Sequence, residues 1–122
     1  MKAMLVHRDL TIRDIKDEFT KVFPGLKLEM YKVAHKEGQG SLKSAELAHD
    51  LKLGDISARL HEEDYNFDPA MVVADFEADF EEKFGLFVQV FRRSNNLWLQ
   101  TSTTDDWTLE KQNAKGLNSV QL

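Results

Sequence analysis

The sequence predicts an α+β fold, a two-layer sandwich in which a mainly antiparallel sheet carries two main helices on one face. Three observations predict it. The apolar spacing of Leu10 to Lys32 recurs over Met71 to Arg92: Ile12, Ile15, Phe19 and Phe23 match Val73, Phe76, Phe80 and Phe84, the interval that lines one face of a helix. Each helical run then gives way to a period of two, Leu26, Leu28 and Met30 matching Leu86, Val88 and Val90, as in a strand with one face buried. Asp50-Leu51-Lys52-Leu53 and Asp106-Trp107-Thr108-Leu109 close the two stretches with a similar spelling. An internal duplication accounts for all three, with repeat 1 over residues 1–56, repeat 2 over 62–112 and a loose polar tail over 113–122.

The elements follow in order. Met1 to Val6 is short and apolar enough for a first strand, and Thr11 with Asp14 three residues on is a capping-box helix start. Ile15, Phe19, Val22 and Phe23 form the packing face of that helix, which leaves Arg13, Lys16, Asp17 and Lys21 to water; Pro24-Gly25 ends it. Leu26 to Tyr31 is a half-buried strand, residues 36–44 a loop, and Ala45 to Leu53 a short helix capped by Ser44. A strand near Asp64 to Phe67 precedes the second helix, Val73 to Phe84, which Gly85 terminates in the left-handed conformation. Leu86 to Arg93 and Leu97 to Thr101 make a hairpin around Ser94-Asn95-Asn96, and a final helical turn follows Asp106. Strand, helix, strand, strand, helix, strand, strand suits a ferredoxin-like core as first choice and a pair of β-grasp-like units as second.

At 122 residues the chain reads as one domain, 1–122, able to bury a core without staples. With no cysteine, disulfides and thiol catalysis are excluded, and the short apolar start before His7 and Arg8 is too brief for a signal or a membrane span. A cytoplasmic location is the expectation. The net charge of −5 divides unevenly, +2 over residues 1–61 and −7 over 62–122, so general nucleic-acid binding starts at a disadvantage.

Several local patterns point to chemistry and are set against plainer readings. Ser44 to Leu60 resembles a helix-turn-helix, but its second helix carries only Arg59 and lacks a basic face. Gly38-Gln39-Gly40-Ser41-Leu42-Lys43 lacks a third glycine or a Gly-Lys-Ser ending, and reads as a connection rather than a phosphate loop. His7, His35, His49 and His61 show no metal-binding spacing, and His61-Glu62-Glu63-Asp64 reads as a solvated loop; no metal and no cofactor are expected. Asp75, Glu77, Asp79, Glu81 and Glu82 load the second helix with negative charge, which reads as a docking surface at most.

The most informative pattern lies on the sheet. If Leu86, Val88 and Val90 face the helices, Phe87 and Phe91 point away from them, and hairpin parity adds Trp98 to that face while Leu97 and Leu99 turn inward. Tyr31 lands on the same outer face, and Trp107 completes the candidate partner-binding set: Tyr31, Phe87, Phe91, Trp98 and Trp107. Contiguous aromatic patches of this kind mark contacts, unless residues 54–68 or Trp107 cover the rings.

The ending VQVFRRSNNLWLQTSTTDDWTLEKQN, Val88 to Asn113, resembles a group of uncharacterised small bacterial proteins that share this hairpin and its Asp-Asp-Trp-Thr-Leu turn. The resemblance implies a self-standing bacterial domain and brings no catalytic residues. The same hairpin and turn resemble, over few residues, a ubiquitin-like arrangement. The reading that results is a non-enzymatic module whose partner is a protein, itself included as a homodimer. A small-ligand or metal-binding protein with Arg92, Arg93 and Asp106 at the pocket rim is the alternative, and DNA regulation through residues 44–60 the third.

Overall fold

The computed structural model describes residues 2–32, 40, 41, 43–58, 60 and 62–119. His35, Gly38, Gln39, Leu42, Arg59 and His61, named above, lie outside them. The order is β1 (Lys2–Val6), α1 (Ile12–Val22), β2 (Leu26–Tyr31), α2 (Leu53–Ile56), β3 (Glu63–Phe67), α3 (Val73–Phe84), β4 (Phe87–Ser94), β5 (Leu97–Gln100) and α4 (Leu109–Asn118). The chain is α+β, with antiparallel sheets packed against helices.

Local chemistry sets the element ends. Thr11 and Asp14 form a reciprocal cap on α1, the Asp14 amide donating to Thr11 Oγ1 at 3.2 Å and the Thr11 amide to Asp14 Oδ2 at 2.9 Å. Phe23 precedes a proline, which disfavours helical angles, and α1 stops at Val22. Gly85 closes α3 at φ 68°, a backbone angle that a Cβ would strain. Asn95, at φ 60°, makes the two-residue turn that sets Ser94 opposite Leu97.

The sheet is in two pieces. β1 pairs with β3, and β2-β4-β5 form a separate three-stranded sheet. This corrects the expected ferredoxin-like order, in which β2 and β4 stand at opposite edges of one sheet; here they pair directly over Leu26↔Arg92 to Tyr31↔Phe87. Neither strand order nor β-grasp connectivity is legible in periodicity, because pairing depends on where each helix delivers its strand. Both sheets feed one core. Phe19 of α1 meets Phe76 of α3 with centroids 5.3 Å apart, while Tyr65 of β3 packs edge-on to Phe80 at 5.2 Å and Phe84 at 5.9 Å. Leu26, Leu28, Met30, Leu86, Val88 and Val90 are all buried in that core.

The two halves share a return path. In the first, Ile12 and Arg13 donate to the carbonyls of Leu51 and His49, and Leu53 and Gly54 donate to Leu10 and Arg8. In the second, Val73 and Ala74 donate to Trp107 and Asp105, and Leu109 and Glu110 donate to Met71 and Pro69. The Asp-x-x-Leu spelling is the stretch that crosses the helix start, closing the orphan amides of its first turn.

Three expectations are corrected. The helix expected over 45–53 does not form: a 3-10 turn at Lys43–Ala45 leads to a bridge between Glu46 and Tyr31, residues 46–52 are not helical, and helix returns only as the single turn α2. No helix pair therefore forms among the described residues of 44–60. The tail read as loose from residue 113 is helical to Asn118, because Gln112 and Gly116 give α4 a buried stripe that polar composition conceals. Gly116 lies so close to Gly25 that an added Cβ would stand 2.4 Å from the Gly25 carbonyl oxygen. Among the described residues no helix is long and apolar enough to cross a membrane.

Candidate functional site

Cross-strand partners share a face, so the register of β2-β4-β5 sorts the predicted residues. Tyr31 is opposite Phe87, Lys27 opposite Phe91, and Arg93 opposite Trp98. Tyr31, Phe87, Phe91 and Trp98 thus lie on one face, as parity predicted. Their exposure differs. Phe87, Phe91 and Trp98 are half-buried, whereas Tyr31 is 2 % exposed and unavailable to a partner.

Cations cover part of the remaining aromatic surface. Lys27 Nζ stands 5.1 Å from the Phe91 ring centroid and 5.3 Å from that of Trp98, and Arg93 stands 5.7 Å from Trp98. At the other end Asp55 and Ile56, within residues 54–68, stand with Leu47 around Tyr31 and Phe87, so that segment supplies part of the cover there. Residues 45–47 run along the free edge of β2, with Lys32 donating to the Ala45 carbonyl and Leu47 to that of Met30. Ser41 is held by Gln100 through two 2.8 Å bonds, its amide donating to Oε1 and its carbonyl accepting from Nε2. A side-chain amide here takes the place of a neighbouring backbone.

Trp107 does not join the stripe. Arg92 alternates to the opposite face from Arg93; it stacks 5.4 Å from the Trp107 centroid and donates to Gln112 Oε1 at 2.8 Å. Arg93 instead donates to the Asn95 carbonyl, and Asp106 is exposed. Arg92, Arg93 and Asp106 therefore form no common rim. A cleft of about 290 Å³ does open beside the stripe, with Tyr31, Phe87 and Leu47 among its walls.

Two acidic residues depart from the solvated reading of α3. Glu77 is buried and accepts the Val90 amide at 2.8 Å on Oε2, replacing a strand partner where β5 has ended. Asp79 accepts the Tyr65 hydroxyl at 2.7 Å; burial first, and then this bond, push that hydroxyl's ionisation well above its usual range.

The cluster that sequence reasoning missed surrounds Glu29. Lys16, expected in water, has a side chain 13 % exposed and places Nζ 2.6 Å from Glu29 Oε1; Lys27 Nζ is 3.0 Å from Oε2. Burial opposes the charge of Glu29, but these two ammoniums outweigh it and hold the carboxyl below its usual range. His49 Nε2 lies 2.9 Å from Lys16 Nζ. Tyr31 is pushed the other way, by burial and then by the negative charges of Glu46, Glu29 and Glu77. The opposed charges at polar positions of α1 and β2 were the available signal; His49 gave none, since only folding brings it there.

Comparison with known protein families, characterised proteins and solved structures finds no match to this chain. The site is therefore read from its own geometry.

The third feature is the hairpin edge. Leu97 is 62 % and Leu99 42 % exposed, which corrects the expectation that they turn inward. Their parity is right, since Leu99 pairs with Arg92 on the helix side, but the described helices do not cover that far from β4. Among the described residues no strand pairs with the outer side of β5.

Proposed function

We propose that the protein is a non-enzymatic self-association module whose contact is the outer edge of β5. One observation carries the reading: Leu97-Trp98-Leu99-Gln100 is an edge strand with no charge and no proline, and its two leucines are exposed. Edge strands that must stay single are usually guarded by lysine, proline or a bulge. Arg92 and Leu99, and Ser94 and Leu97, take the positions whose backbone groups face each other in a two-residue hairpin, so those of Trp98 and Gln100 face outward.

Symmetry then narrows the pairing. Two copies related by a two-fold axis normal to the sheet keep each residue on its own face, so the centre of pairing falls on a residue. Centred on Trp98, each Leu97 faces the other copy's Leu99, all four leucines share one face, and the two Trp98 rings are neighbours on the other. We read the two halves of each chain as copies of one strand-helix-strand unit, supported by the matching return bonds around Leu51 and Trp107. Among the described residues β5 has no counterpart in the first half, where residues 45–47 line β2 instead. The expected result is a dimer by light scattering for the unaltered chain and a monomer for Leu97→Lys with Leu99→Lys. A folded double variant that still scatters as a dimer would place the contact elsewhere.

A further inference from the structure

Glu29 from β2, Glu46 from the segment beside it and His49 from the return path bring their ligand atoms within 4.8 Å of one another. Glu29 Oε1 and His49 Nε2 are 3.3 Å apart, the edge of a tetrahedron whose corners lie about 2.0 Å from its centre. Both atoms already face a cation, since Lys16 Nζ stands 2.6 Å from the first and 2.9 Å from the second. An ammonium only donates hydrogen bonds, so a His49 ring that pairs with Lys16 does so through an unprotonated Nε2, the form of that nitrogen that metals bind. Lys27 stays on the other oxygen of Glu29 and helps keep the carboxylate ionised.

A separate observation points into the same place. The Tyr31 hydroxyl is buried with no hydrogen-bond partner among the described residues, and its side chain neighbours both carboxylates: Tyr31 bridges Glu46 across the strand edge and is two positions from Glu29 on one face of β2. A buried hydroxyl left unsatisfied is costly, and a metal-bound water is a partner that would relieve it.

We propose that Glu29, Glu46 and His49 form a site for one first-row divalent cation, and that the Lys16 ammonium is the resident cation it displaces. One imidazole and two carboxylates favour zinc over magnesium or calcium, which seek oxygen alone. Lys16 makes the site competitive: metal enters only by breaking its bond to Glu29.

The test titrates Co²⁺, then Zn²⁺, into the full chain and reads the visible absorption of four-coordinate cobalt. One Co²⁺ per chain is expected, displaced by Zn²⁺. Lys16→Met should bind about tenfold to a hundredfold more tightly, the range for a charge-assisted hydrogen bond that no longer has to be broken. His49→Ala should lose the band. Lys16→Gln repeats the comparison if methionine disturbs α1, with circular dichroism confirming each fold. If the unaltered chain and both lysine variants titrate as His49→Ala does, the cluster is an ion-pair network only and the proposal falls.

Discussion

Glu29 is 4 % exposed and carries an ammonium on each oxygen, so its cost and its pH dependence can be argued from one residue. Glu29→Gln leaves Lys16 and Lys27 without their carboxylate, and because both lysines reach partly into water the loss should be moderate, about 1–3 kcal/mol by urea unfolding. The sign with pH follows from a carboxyl whose folded pKa lies below its ordinary 4.5. Its stabilisation is present above the unfolded value and is lost as pH falls through the folded one, so the gap between the unaltered chain and Glu29→Gln should narrow below about pH 4.5. A gap that stays constant from pH 7 to acid unfolding would mean that the lysines do not hold the carboxyl down. Gly116 is the other residue whose surroundings decide its effect. Its Cβ position is 2.4 Å from the Gly25 carbonyl oxygen, backbone against backbone, so Gly116→Ala should destabilise by roughly 1–3 kcal/mol despite alanine's better helix propensity. Stabilisation by that change would show that α4 rides farther from β2.

At the scale of elements, α4 and β5 depart most from expectation. Residues 113–122 look loose because their polarity gives no obvious apolar stripe, yet α4 is fastened by polar bonds: Gln112 to Thr104 and Arg92, Asn113 to the Gly25 amide, and Ser119 to Arg93 and Asn95. Ending the chain after Lys111 should therefore cost roughly 3 kcal/mol or more, at about 1 kcal/mol per lost bond, and a thermal melt would register it. An unchanged melting temperature would make α4 an ornament. β5 has the reverse character, apolar where a covered strand would be but left uncovered. The substitutions Leu97→Lys and Leu99→Lys should alter the fold of a single chain little, since exposed positions away from special contacts usually stay within about 0.5 kcal/mol.

For the whole molecule, self-association links stability to concentration. The melting temperature of the unaltered chain should rise with protein concentration, and that of Leu97→Lys with Leu99→Lys should not; parallel behaviour would exclude a folded dimer as the stabilised species. Much of the architecture was legible because it is local. Thr11 with Asp14, Gly85, the Asn95 turn and the change of period after each helix depend on near neighbours, and each appears where the chain spells it. The face shared by Tyr31, Phe87, Phe91 and Trp98 followed from alternation alone. What covers a face is a different kind of fact. Tyr31 is closed off by a segment well beyond it in the chain, Lys16 is drawn from solvent by a carboxylate on the next strand, and Leu97 is exposed because the helices end short of it. The sequence by itself determined the elements, their caps and the side on which each strand residue stands, since backbone sterics and hydrophobic period act over a few residues. Tertiary structure alone decided that β2 pairs with β4, and that Glu29, Glu46, His49 and Lys16 meet, because pairing and convergence depend on how distant pieces share one core.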